Sequence, residues 1–510
     1  MVGGAADDNL DFLAVEQAAM TSSRQRGYLL AILAIAVLLR CIGLNERGIQ
    51  YDDAFSYFLS IQSLPAIVQG TAADTMPPLY YFLLHFWASI SAELWFLRLL
   101  SILLTLASLW LLYRIVALLA GTKAALWASL FAAVSPLQMY HAQDIRMYAL
   151  LEFCQLGYAF SLLKTWDPGS RVGKPGWQWW VGAILFGAGA MYTHNLAIFG
   201  LAVPNFYLLI KRDWKTLLKL ILAQTAIGAL ALPWLVLIPG QIAKVQQAFW
   251  TPRPGLVEVI QAVLLWFIQL PLDGVWMAVG AILSLQVFVL TLVMLWRNRK
   301  ANQASDYLLA WAFFPPAILF GISYLIRPVF VPRGFLVSSM AFYGLAGMVA
   351  ARSGSLGKML GASVVLAAAI SLPFFYTFAE FPRSPFRELS DSLQNTIQAG
   401  EVVIHDNKLS YFPGHFYQPD LEQAFLADIP GSSNDTYALQ SQQVMQIFPA
   451  PDLETAVGTA NSVYFVVFSR AIDEYRVAGE VHPAIGWLEE HFTQTRQTAF
   501  NDLLLIHFQR

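Results

Sequence analysis

Four polar clusters interrupt a largely apolar chain. Their residue types suit a proton transfer beside a phosphate. Tyr51-Asp52-Asp53-Ala54-Phe55 sets two carboxylates side by side. Gln138-Met139-Tyr140-His141-Ala142-Gln143-Asp144-Ile145-Arg146-Met147-Tyr148 gathers an imidazole, an amide, a carboxylate and a guanidinium. Tyr192-Thr193-His194-Asn195 adds a second imidazole, and Arg327 and Arg333 bracket Pro328-Val329-Phe330-Val331-Pro332. A carboxylate can take the proton of a hydroxyl nucleophile. Arginines hold phosphate through forked, charge-assisted hydrogen bonds. A site facing lipid on one side and water on the other suits a lipid-phosphate donor and a polar acceptor.

Each cluster also has a plainer reading. Asp52 and Asp53 could be solvated loop residues or a helix start opening Ala54–Gln62. Arg146 and Arg333 could be anchors at the phosphate layer of a membrane. His194 alone fits a hydrogen-bonding residue, and His141 beside Asp144 is too small a set for a metal. The joint pattern says more than any one member.

The elements that must position these residues are membrane helices. Only 13% of the 510 residues are charged, about half the share of an average soluble domain, and mean hydropathy is +0.54. That excludes a soluble globule, a disordered chain and a disulfide scaffold. Cys41 and Cys154 sit in apolar stretches and read as small buried hydrophobes. The net charge of −2 hides two unlike parts. Glu380–Arg510 holds 17 acidic and 7 basic residues, and the rest holds 16 and 24. The division is a tail at 1–26, a membrane domain at 27–379 and a soluble domain at 380–510. No concentrated basic face points to nucleic acid.

Eleven spans are expected, at 27–44, 97–120, 124–138, 147–164, 178–193, 196–211, 216–238, 273–296, 305–326, 334–351 and 359–379. With the N-terminus cytoplasmic, 16 Lys/Arg gather on the cytoplasmic side, including Arg171, Lys174 and Lys300, against 8 outside. That orientation makes 256–270 and Pro77–Ser91 interfacial or re-entrant and puts the C-terminal domain outside. All four polar clusters then share the outer face. Ionisable residues near membrane depth usually face a cavity or a partner.

In this order the motifs resemble the GT-C superfamily of integral membrane glycosyltransferases. The likeness is to its bacterial family 39-like group, related to lipid A aminoarabinose transferases and protein O-mannosyltransferases. Tyr51-Asp52-Asp53-Ala54 resembles the acidic motif of the first external loop, with Asp53 in place of the usual Glu. The stretches Pro77–Trp87, Arg98–Ser101 and Ser135–Leu151 follow in family order. Tyr192-Thr193-His194, Leu232-Pro233-Trp234 and Arg333-Gly334-Phe335-Leu336 have counterparts too. The likeness runs over most of the first 350 residues.

The resemblance implies an α-helical polytopic GT-C protein with about 11 transmembrane helices, interfacial helices and a small extracytoplasmic α/β domain. It implies transfer of a monosaccharide from a polyprenyl-phosphate donor to a hydroxyl of a glycan, lipid or protein, at the outer face of a bacterial plasma membrane. Asp52 is the first choice of base and Asp53 the second; Arg146 and Arg333 hold the donor phosphate, joined by Arg327. Tyr148, His194, His141 and Gln143 complete the pocket. No cofactor is required, although some relatives use a divalent metal near this loop. A transporter or flippase for a lipid-linked anion is the alternative, and it favours mid-membrane polar groups and inverted repeats. In the tail, strands are expected at Glu401–Ile404, Val463–Phe468 and Leu503–Phe508, and helices at Arg387–Ala399 and Asp473–Glu490. His405, Asp406 and His415 there read as residues of a loop after a strand more than as a site. The tail is expected to shape acceptor access.

Overall fold

The computed structural model describes residues 5–166, 176–247, 252–298, 303–428 and 438–510. Arg171, Lys174 and Lys300 lie outside the described residues. Helices overlap the expected spans: Ala5–Cys41, Leu94–Ala120, Thr122–Val134, Tyr148–Trp166, Trp177–Met191, Ala197–Lys211, Trp214–Leu235, Gly274–Arg297, Gln303–Leu325, Leu336–Arg352 and Gly354–Thr377. Among the described residues, 6 helices are long and apolar enough to cross a membrane. Leu79–Ala88 and Leu256–Leu265 have 10 residues each, too short for a hydrocarbon core of about 30 Å. The central helix is Leu336–Arg352, buried along nearly its whole length. Its Gly347 allows close approach, since a Cβ there would lie 2.6 Å from the Ala124 carbonyl oxygen.

The expected span 124–138 is two helices. Pro136 disfavours helical geometry at the residue before it, and Ser135 is extended at φ −64 and ψ 123. Ser135 then caps Pro136–Ala142, its Oγ accepting the N–H of Gln138. The break leaves carbonyls at the end of Thr122–Val134 without helical donors. Buried Arg40 meets them, its guanidinium donating to Ala133 O at 3.1 Å and Ala132 O at 3.4 Å. Arg98, also fully buried, donates to the carbonyls of Leu44, Arg47 and Gly48. It therefore fixes the loop that leads into Asp52.

The C-terminal part carries five strands: β1 (Val402–His405), β2 (Gln423–Phe425), β3 (Ser462–Phe468), β4 (Thr493–Phe500) and β5 (Leu503–Gln509). Their order is β2-β1-β3-β5-β4. β1 runs parallel to β2 and β3, and β5 antiparallel to β3 and β4. The three expected strands are present. β4 was not expected because it is an exposed polar edge strand without an apolar face. The expected helix 473–490 is two helices, Ser469–Val477 and Pro483–His491, parted at Gly479, whose φ of +77 ends the first. His405 bonds Gln423, Asp406 pairs with His482, and His415 stacks on Phe58 and Tyr411.

The helix Lys408–Tyr417 grips the helix Tyr51–Ser60. Phe412 is fully buried, with ring centroids 5.3, 6.0 and 5.8 Å from Tyr51, Phe55 and Phe58. The Tyr417 hydroxyl accepts the N–H of Ile49 at 3.0 Å. Removing such an aromatic costs about 3–5 kcal/mol. Phe412→Ala is therefore expected to lower the midpoint of thermal unfolding and to loosen the Asp52 helix. An unchanged midpoint by differential scanning fluorimetry would show that this contact does not hold the two parts together.

Candidate active site

The helix Tyr51–Ser60 starts after Gln50, an extended residue whose amide donates to Ser384 O at 3.1 Å. Asp52 and Asp53 occupy its first turn, where carboxylates complement the helix dipole. Neighbours on a helix point about 100° apart, so the pair splits between two environments. Asp53 is buried, and its Oδ1 accepts the N–H of Ile145 at 2.9 Å. Burial and nearby Asp144 push its carboxyl above the usual carboxylate range, outweighing Arg47 and Arg98. The Asp52 side chain is 47% exposed, with Oδ2 lying 3.7 Å from Nη1 of Arg333.

Arg146 backs this helix from the inside. Its Nη1 donates to Ser56 Oγ at 3.2 Å and to Asp52 O at 3.3 Å. Ser56 Oγ itself donates to Asp52 O at 2.8 Å. Arg333 lies over the Tyr148 ring, 5.7 Å from its centroid. That ring lies 5.2 Å from His141 and 5.9 Å from His194. Asp52, Arg146, Arg333, Tyr148 and His194 thus form one polar cluster.

The other expected members serve the layer beneath. His141 Nδ1 lies 3.1 Å from Asp144, which also pairs with Arg47 at 2.7 Å. Burial pushes Asp144 upward, but Arg47 and His141 outweigh it and hold the carboxyl low. Gln143 fixes the loop rather than facing the pocket, its amide donating to Arg40 O at 3.1 Å and Ile42 O at 2.8 Å. Arg327 sits half-buried on the loop after Gln303–Leu325. No three His, Cys, Asp or Glu side chains converge for a metal among the described residues.

His194 is buried, and its Nδ1 accepts the N–H of Leu196 at 3.0 Å. Burial, then Arg146 and Arg333, depress its pKa to about 3. The imidazole is therefore neutral at any working pH, with the ring proton on Nε2. The pH–rate profile of a His194→Gln variant should keep both limbs of the wild type between about pH 5 and 8, whatever its absolute rate. A lost limb would show that His194 titrates in the reaction.

Comparison with solved structures identifies the architecture. The chain superposes on ArnT from Cupriavidus metallidurans bound to undecaprenyl phosphate with a TM-score of 0.63, covering 94% of this chain and 98% of that one at 15% identity. The chain has the GT-C fold. The GT-C chain is also similar to the oligosaccharyltransferase AglB from Archaeoglobus fulgidus, with a TM-score of 0.54 and 12% identity over 95% of this chain and 74% of that one. Residues 75–239 match the family described as dolichyl-phosphate-mannose-protein mannosyltransferase. Among curated protein sequences none matches.

Three residues beyond the expected site members lie beside the Asp52 cluster. Ser56, one turn after Asp52, joins it to Arg146. Tyr81 is fully buried, and its electrostatic neighbours include Arg146, Asp74 and Asp52. Asp74 is also among the anionic neighbours of Arg146. A sequence signal existed for these two: Asp74 and Tyr81 flank the Pro77-Pro78 step into an interfacial helix.

Proposed function

We propose that the protein transfers a sugar from a polyprenyl-phosphate donor to an acceptor hydroxyl at the extracytoplasmic face of a bacterial inner membrane. In this reading residues 27–379 are the catalytic membrane domain and 380–510 an extracytoplasmic domain. The observation that carries it is Asp52: a half-exposed carboxylate 3.7 Å from one guanidinium, on a helix start braced by another. ArnT, with its bound undecaprenyl phosphate, supports the donor class.

The acceptor O–H gives its proton to Asp52, and its oxygen attacks the anomeric carbon. The bond from that carbon to the phosphate oxygen breaks, and polyprenyl phosphate leaves with the electron pair. Arg333 and Arg146 neutralise the charge that builds on the leaving phosphate. Asp53 holds the helix start through Ile145 and stays out of the proton transfer. Transport of a lipid-linked anion would use the arginines but has no role for a base.

The test is reconstitution in liposomes with a radiolabelled polyprenyl-phosphate sugar and a panel of glycan, lipid and peptide acceptors. Label is expected to move to one acceptor class with release of polyprenyl phosphate. Movement of intact donor across the bilayer without cleavage would instead establish transport.

A further inference from the structure

A cavity of about 180 Å³ lies where the helix Gly354–Thr377 ends. Its walls include Glu46, Arg47, Phe375, Tyr376, Arg383 and Glu388. Arg383 is only 5% exposed. One arm of its guanidinium donates to Phe375 O, and the group lies 3.8 Å from the centre of the Phe375 ring and 5.1 Å from that of Tyr140. Its Nη2 is buried and makes no hydrogen bond among the described residues, and the same holds for Nε of Arg47. A buried donor left without an acceptor costs about 1–3 kcal/mol, and more when charged. Both arginines line the cavity.

Charge points the same way. Of the two, Arg47 is paired with Asp144 behind the cavity. Arg383 makes no ion pair among the described residues, so its guanidinium suits one phosphate monoanion. The rim is the opposite. Glu46 and Glu388 are both exposed and line the cavity mouth, where they would repel a simple anion and attract an ammonium. Phe375 and Tyr376 form an apolar side wall. The cavity lies beside the ends of the first and last membrane helices that are expected to face outward.

We infer that this cavity binds a phosphoethanolamine headgroup of a bilayer lipid, its phosphate on Arg383 and Arg47 and its ammonium on Glu46 and Glu388. The site is separate from the Asp52 pocket and calls for no chemistry on the lipid. A lipid held there would brace the junction between the last membrane helix and the extracytoplasmic domain.

Native mass spectrometry of the detergent-solubilised full chain tests this with phosphatidylethanolamine, phosphatidylglycerol and soluble glycerophosphoethanolamine as probes. The wild type should retain phosphatidylethanolamine about tenfold over phosphatidylglycerol. Arg383→Gln should lose that retention, and Glu388→Gln should keep lipid but lose the preference. Glycerophosphoethanolamine should compete weakly; its binding with no retention of the diacyl lipid would overturn the assignment to a bilayer lipid. No preference in the wild type, or full retention in a folded Arg383→Gln protein, overturns the site. The wild-type comparison does not depend on any variant folding. Sugar transfer is not the readout, so failure here leaves the proposed reaction untouched.

Discussion

Asp52→Asn is expected to lower sugar transfer about 10³-fold while donor binding stays near wild type, because a positioned base supplies roughly that factor. Asparagine keeps the shape of the side chain and its place in the first helical turn but cannot take the acceptor proton. The factor corresponds to about 4 kcal/mol of barrier. Asp53→Asn gives the contrast. Its Oδ1 can still accept the N–H of Ile145, so transfer should fall by about tenfold or less. Stability separates the two further. Asp53 has its folded pKa raised by burial and Asp144, so ionising it opposes folding. That cost is absent below the unfolded pKa and grows as pH rises through the window up to the folded one. Asp53→Asn should therefore be at least as heat-stable as the wild type near neutral pH, with the gap closing as pH falls toward about 4. Turnover in both variants matched to wild type, in single-turnover assays with labelled donor, would eliminate a carboxylate base.

The contrast between these neighbours marks how far sequence reading reaches. Charge bias and apolar length put Asp52, Arg146, His194 and Arg333 on one expected face, because both are legible without knowledge of packing. The division of labour between Asp52 and Asp53 depends on which side of a ten-residue helix meets Ile145 and which meets Arg333. Helix rotation is set by tertiary contacts such as Phe412 against Tyr51 and Phe55, which come from more than 350 residues away in the chain. Gln143 shows the reverse error. Sitting between His141 and Asp144 it looked like a pocket residue, yet the loop needed its amide for two carbonyls. Arg40 and Arg98 are buried for a reason that charge counting does not reveal: broken helices and tight loops leave carbonyls that a guanidinium can satisfy. β4 was illegible for a simple reason: an exposed edge strand needs no apolar alternation.

Arg333→Ala should cut kcat about 10²- to 10³-fold, the usual effect of removing one donor aimed at developing charge. The argument rests on its setting. Its pairing with Asp52 is long at 3.7 Å and both side chains are partly exposed, so the contact contributes little to stability. The variant should fold. Arg146 is a poorer test, since it is buried and bonded to Ser56 and to the Asp52 carbonyl. Truncating it would loosen the helix that carries the base. In the free protein Arg333 leans on Tyr148 and faces Asp52. An incoming donor phosphate competes for that guanidinium, drawing it off the carboxylate as the acceptor arrives. Arg333 would then serve twice, holding Asp52 in place before binding and stabilising the leaving phosphate after it. Arg333→Lys should fall between wild type and Arg333→Ala, because an ammonium keeps the charge but not the fork. A raised KM with unchanged kcat in Arg333→Ala would restrict the residue to ground-state binding of the donor and shift the leaving-group role to Arg146.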